Sequence, residues 1–263
     1  MLTRLTLKQE EENNQNIFLM VKVMVHIAKA VVTVVMAFLC FSCGFDFKSI
    51  DGDGNVTVKS RTISGSFNSV TAGKGLEVII EQGAQQSVTV EADDNLHQHI
   101  KTELKGNTLE ITADTNIGNA QSKKITVVLP QIKSIESAGG SQVSSRGTLK
   151  EDSIELTSNG GSGLTVTIET RNLKTDASGG SHTSIKGTTE NLEADASSGS
   201  SIDAENLKTE NVRAESSSGS SITVNPKRNL TAEASSGAHI YYVSTPAQLK
   251  QNASSGGGVS QKQ

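Results

Sequence analysis

One pattern restricts what this chain can fold into more than any other: a glycine-centred motif that returns about every 19 residues from Ile132 onward. With Gly140, Gly161, Gly180, Gly199, Gly219, Gly237 and Gly256 as a common frame, the spacings are 21, 19, 19, 20, 18 and 19 residues. Three residues before each glycine stands Ser or Ala: Ser137, Ser158, Ala177, Ala196, Ser216, Ala234 and Ala253. Seven before it, six copies carry an apolar residue: Ile154, Leu173, Leu192, Val212, Leu230 and Leu249. Three after it come Val143, Leu164, Thr183, Ile202, Ile222, Ile240 and Val259. Four before it stand Glu136, Thr157, Asp176, Asp195, Glu215, Glu233 and Asn252.

The period inside each copy is two. Leu192, Ala194 and Ala196 alternate with Glu193 and Asp195, and past the glycine Ile202 and Ala204 alternate with Ser201 and Asp203. Such alternation predicts strands with one face inward. Each copy then holds two short strands joined by a Gly/Ser corner where positive φ can be adopted. A second corner carries Asn172, Asn191, Asn211 and Asn229. Asparagine tolerates left-handed backbone, and stacked amides would form a ladder. No single copy can bury its apolar side alone. Stacking at the ~4.8 Å strand spacing supplies a narrow core of Leu, Ile, Val, Ala and Ser. The expected fold is all-β: a parallel β-helix or β-solenoid of ~19-residue rungs, right-handed by the general crossover preference.

Composition agrees with a repeat rather than a globular core. There is no Trp, there are two Tyr and six Phe, and there are 24 Gly. A net charge of −4 and a pI near 5.8 give no basic stripe, so nucleic acid is not an expected partner.

Residues 1–43 read as an export region. Lys22 and Lys29 precede an uncharged apolar run from Ala30 to Phe41. That run is too short for a spanning helix, which needs roughly 20 apolar residues, and suits a cleaved signal. Ser42 supplies a small residue before Cys43, in the manner of a bacterial lipobox, so Cys43 is the expected lipidation site. Phe41 and Cys40 depart from the usual small or aliphatic residues of that motif. Residues 1–19 are polar and acidic, unlike a signal n-region, which points to translation starting at Met20 or Met24. Residues 44–54, with Asp46, Asp51 and Asp53, read as a solvated tether, and 55–263 as one domain whose regular repeats occupy 132–263.

The part before the repeats is β-rich but irregular. N-S-V-T-A-G-K-G-L-E-V aligns with K-S-I-E-S-A-G-G-S-Q-V, which puts Gly75 in the frame of Gly140 and predicts an earlier rung. Residues between them predict a small meander, with a hairpin return after Gly106. The run F-N-S-V-T-A-G-K-G-L-E-V-I-I-E-Q-G, the following S-V-T-V-E-A-D-D-N-L and the later S-I-E-S-A-G-G-S resemble the auto-transporter adhesin head GIN domain family, a DUF2807-type domain. The resemblance covers nearly the whole mature chain. It implies a β-helical protein of the bacterial envelope, common in the Bacteroidetes; with the lipid at Cys43, the expected place is the outer membrane, facing either the periplasm or the surface. It supplies no catalytic residues.

The residues themselves offer few chemical constellations. His97 and His99, near Asp93 and Asp94, would share a strand face and could ligate a metal, but an exposed polar turn explains them as well. His182 and His239 lie three rungs apart and cannot share an ion. D-G-D-G-N at Asp51 to Asn55 lacks the Gly and Glu that an EF-hand needs at loop positions 6 and 12. No G-x-S-x-G or P-loop is present. No catalytic set, cofactor or metal is expected.

What remains is the column Glu136, Asp176, Asp195, Glu215, Glu233. It is a candidate strip for cations or for the hydroxyls of a polysaccharide, or else a solvated face that keeps the coil soluble. The leading expectation is a non-catalytic binding module, adhesin-like or in contact with glycan or protein. A polysaccharide-active enzyme would need local, irregular carboxylates with basic or aromatic neighbours. An envelope scaffold or sensing module is the third reading. Membrane contact would run through the N-terminal lipid, and open solenoid edges make homo-oligomerisation a further expectation.

Overall fold

The computed structural model describes residues 49–262, together with Lys22, Met24 and Lys29. The signal region, the alternative start and Cys43 therefore lie outside the described residues. Residues 49–262 contain no α-helix; their one helical element is the 3-10 turn Asp94–Leu96.

The repeats form a coil of parallel strands in register. Ser134–Ser137 pairs with Gln142–Ser158, which pairs in turn with Gly163–Ala177, His182–Ala196, Ser201–Ser216 and Ser221–Ala234. The last coil is split into Gln248–Ala253 and Gly258–Gln261, stacked on Ser221–Ala234 and His239–Tyr242. The aligned columns of the sequence become columns in space. Ile154, Leu173, Leu192, Val212 and Leu230 stack inward and are buried, as do Val143, Leu164, Ile202, Ile222 and Ile240. Thr183 joins the second column because its hydroxyl meets Ser158 Oγ at 2.7 Å, so the polar group is satisfied inside the core.

The glycine corner has a definite geometry. Gly139 and Gly140, Gly160 and Gly161, and Gly179 and Gly180 all take positive φ, and later rungs use Ser198, Ser218, Ser236 and Ser255 before the frame glycine. A backbone bond closes these turns, such as Ser200 N–H to Ser197 O at 3.2 Å, except at Gly160–Gly161, where Ser162 Oγ accepts from Asn159 N–H instead. Two central residues with positive φ and an i+3 to i bond describe a type I′ turn. The turns also bond upward, for example Gly199 N–H to Ser218 O at 3.1 Å, so the corner is laddered like the strands.

Just past the glycine sits a buried serine: Ser141, Ser162, Ser181, Ser200 or Ser220. Ser200 Oγ accepts from Ser197 N–H at 3.2 Å and donates to Ala177 O of the rung below at 2.8 Å. Ser162 bridges Asn159 N–H and Ser137 O, and Ser220 bridges Ser217 N–H and Ala196 O, in the same way. The second corner carries the expected amide ladder, with Asn191 donating to Asn172, Asn211 to Asn191 and Asn229 to Asn211 at 3.0, 3.0 and 2.7 Å. None of the four takes positive φ. The bond to the next rung, rather than a left-handed backbone, is what asparagine supplies here. Register shifts fall at Ser144/Thr148, Ser184/Lys186, Ala204/Lys208 and Thr209/Asn211, so the variable rung length is absorbed between the glycine turn and the asparagine corner.

The earlier rung exists as expected. Ser69–Ala72 and Glu77–Gln82 stack under Ser134–Ser137 and Gln142–Arg146. Below them the coil gives way to antiparallel pairing: Ile100–Lys105 with Thr108–Ala113, and Lys123–Leu129 with Ser87–Asp93 and then Val56–Arg61. The large apolar residues gather in this part, including Leu76, Ile80, Leu96, Leu109, Ile125 and Leu129.

Residues 49–54 differ from the solvated tether read from their composition. Ser49–Ile50 pairs with Asn116–Ile117, and Gly52 N–H bonds Asn119 O at 2.7 Å. Asp93, fully buried, accepts from the backbone N–H groups of Gly54, Gln121 and Ser122 at 2.8, 2.8 and 3.2 Å. A Cβ on Gly52 would lie 2.4 Å from Asp93 Oδ2, so only glycine lets the chain pass this close. D-G-D-G-N is thus a clasp around a carboxylate, neither a loose tether nor a calcium loop.

Candidate functional site

The carboxylate column stands on the wall before the glycine turn. Its position is outward because its two neighbours in sequence, at three and five residues before the glycine, face the core. Register places Asp176, Asp195, Glu215 and Glu233 on four consecutive rungs, with Asn252 above them. Glu136 shares the column but is separated from Asp176 by Thr157. It is held instead by Thr71 Oγ1 at 3.3 Å and Asn159 Nδ2 at 3.4 Å. The structure therefore gathers four of the five candidate residues and leaves the fifth apart.

Two residues upstream runs a second outward column, Glu155, Lys174, Glu193, Arg213, Thr231 and Lys250. Its charges alternate in sign up to Arg213, a pattern that alignment of the repeats on the glycine frame exposes in the sequence. The two columns interact. Lys174 lies 3.7 Å from Asp176, and Arg213 pairs with Glu215. The carboxylates around Lys174, Asp176 foremost and then Glu155, Glu193 and Asp195, raise its pKa.

Asp195 has no cation within ion-pair distance among the described residues. Burial pushes its carboxyl up from the ordinary aspartate range, and the charges of Asp176, Glu215 and Glu193 add to that, with Lys174 opposing. Like charges stacked at ~4.8 Å repel unless something neutralises or solvates them.

Beside the column lies a groove of about 470 Å³, walled by Asp176, Asp195, Glu215 and Glu233 on one side and by Ser178, Ser197 and Ser217 on the other. A second groove, of about 550 Å³, follows the asparagine ladder and the alternating column. The first groove presents hydrogen-bond acceptors and negative charge along the coil axis on four consecutive rungs, whereas the second presents charges of both signs.

The other constellations separate. His97 is buried, its Nε2 at 2.9 Å from Thr57 Oγ1, while His99 Nδ1 meets Asp114 at 2.9 Å. The two rings therefore serve different partners, and among the described residues no three His, Cys, Asp or Glu side chains gather to hold a metal. His182 and His239 are three rungs apart, as their spacing indicates. His182 Nδ1 does lie 2.7 Å from Ser201 Oγ, a contact the sequence did not suggest. Among the described residues no carboxylate orients the other nitrogen of that ring, so the pair lacks the third group of a nucleophilic triad.

The family model described as "Putative auto-transporter adhesin, head GIN domain" (DUF2807) matches residues 66–246. Among solved structures, a "putative adhesin" from Bacteroides fragilis NCTC 9343 is 19% identical with a TM-score of 0.74, covering 81% of this chain and 100% of that one. A "putative adhesin" from Parabacteroides merdae ATCC 43184 is 18% identical with a TM-score of 0.68, covering 82% and 99%. A "putative lipid binding protein" from Parabacteroides distasonis ATCC 8503 is 17% identical with a TM-score of 0.67, covering 82% and 100%. At these identities the likeness is one of fold. No curated protein matches the chain.

Proposed function

Since the chain belongs to the DUF2807 family of auto-transporter adhesin head GIN domains, we propose that it is a non-catalytic, adhesin-like binding module of the bacterial envelope. In this reading Cys43 carries the lipid that anchors it to the outer membrane, and the coil faces outward. The ligand is a linear glycan whose hydroxyl or amine groups meet the carboxylate groove rung by rung. One observation carries the proposal: four carboxylates on consecutive rungs line a serine-walled groove, and one of them, the half-buried Asp195, has no cation partner among the described residues.

The regular spacing argues for binding over turnover. Hydrolysis of a glycoside needs one carboxyl held as an acid and another as base or nucleophile at a set separation across one bond. Here each carboxylate faces the next along one column, and nothing marks a single bond for cleavage.

The test is a glycan array probed with the wild-type protein and with an Asp195→Asn/Glu215→Gln variant. Wild type should bind a linear glycan and the variant at least ~10-fold more weakly, which corresponds to about 1.4 kcal/mol. Equal binding by the two proteins, or no glycan bound by either, would refute the groove as the site.

A further inference from the structure

The chain has few aromatic residues, yet two of its rings are stacked on the outside of the coil. His239 and Tyr241 occupy successive outward positions of the strand His239–Tyr242, on the wall beyond the glycine turn. Their ring centroids are 6.0 Å apart and their planes differ by 12°. Register sets Tyr241 between Thr223 below and Ser260 above, and His239 between Ser221 below and Gly258 above. Gly258 matters most. A Cβ there would approach His239 Cδ2 to 3.1 Å, so the absent side chain is what leaves that ring uncovered.

We propose that His239 and Tyr241 form a platform for a single pyranose unit of a neutral glycan. A pyranose pairs an apolar face of C–H groups with a rim of hydroxyls. The platform offers the matching arrangement, with flat rings at the centre and the hydroxyls of Ser221, Thr223 and Ser260 around them as donors and acceptors. An apolar peptide would need apolar flanks, and here the flanks are hydroxyls. A nucleic acid would meet an acidic protein, with Asp203 one rung below Thr223. Tyr242, by contrast, packs against the core and holds the strand in place.

This proposal rests on the glycan-binding reading above but uses a different wall, and the protein carries its own reporter for it. Its only tyrosines are Tyr241 and Tyr242, and it has no tryptophan, so intrinsic tyrosine fluorescence reads this wall. The experiment titrates the full chain with maltohexaose, laminarihexaose, xylohexaose and N-acetylglucosamine hexamer, each up to ~10 mM, a range that captures millimolar affinity. A saturable change with at least one of them is expected. Tyr241→Ala should weaken binding at least ~10-fold by a label-free readout such as calorimetry. Gly258→Gln, which keeps both tyrosines and crowds His239, should do the same. Glu103→Gln, at an exposed position of the strand Ile100–Lys105, should leave this response unchanged.

The proposal fails if none of the four sugars alters the fluorescence. It fails equally if both platform variants bind as wild type does. A response abolished by Asp195→Asn/Glu215→Gln but kept by Tyr241→Ala and Gly258→Gln would uphold the groove and overturn the platform. Gly258 has no positive φ, so its substitution imposes no backbone strain and gives a test even if Tyr241→Ala fails to fold.

Discussion

Ser200 stands one residue past a turn glycine, at a position shared by Ser141, Ser162, Ser181 and Ser220. Its hydroxyl is both acceptor for the turn and donor to the rung below. Ser200→Ala would remove both of these bonds while Ser197 N–H and Ala177 O keep the bond to each other at 3.0 Å, at a cost of about 0.5–1.5 kcal/mol; chemical denaturation should show it, with a smaller effect for the half-buried Ser197→Ala. Thr175 presents the opposite case. Its Oγ1 is buried in the core with no partner among the described residues. Thr175→Val, which keeps the shape and removes the hydroxyl, should stabilise the protein by roughly 1 kcal/mol. His97 adds a pH dependence. Burial lowers its pKa, with Lys59 and Arg61 nearby acting in the same direction and the bond to Thr57 and the charge of Asp94 opposing. Below about pH 6.5 the unfolded chain takes up a proton that the folded one refuses, so stability present above that pH is lost as the pH falls. His97→Gln should flatten this part of the Tm-against-pH curve.

At the level of strands and turns, each coil is set by two corners that work differently. The glycine corner depends on backbone conformation, and the asparagine corner depends on a side-chain bond to the next rung. Asn191 and Asn211 each donate to one neighbour and accept from another, so Asn191→Ala breaks two bonds of the ladder. It should cost about 1–2 kcal/mol, and hydrogen exchange should quicken on adjacent rungs while the glycine turns stay protected. The coil itself was legible in the sequence because alternation and the glycine frame are local and repeated seven times. The same holds for the carboxylate column, which follows once the frame is aligned. What local pattern could not reveal was anything fixed by a distant partner. The clasp at residues 49–54 depends on Asp93 and on Gln121 and Ser122, far along the chain, so D-G-D-G-N read as a tether. Likewise, Glu136 looked equivalent to the other column members until Thr157 came between it and Asp176.

The two ends of the coil in residues 49–262 are unlike. Antiparallel strands and large apolar residues close the coil near Leu76, Leu96 and Leu109, while Gln248–Ala253 at the other end is exposed along its length. Its long walls repeat the same side chains rung after rung, which suits an extended ligand better than a small one. The proposed function requires those walls to face outside the cell. The measurement that tests this most directly is protease treatment of intact cells, followed with an antibody to the coil and with a periplasmic protein as control. The account predicts that the coil is digested while the control survives. Full protection of the coil would place it in the periplasm and contradict an adhesin-like role.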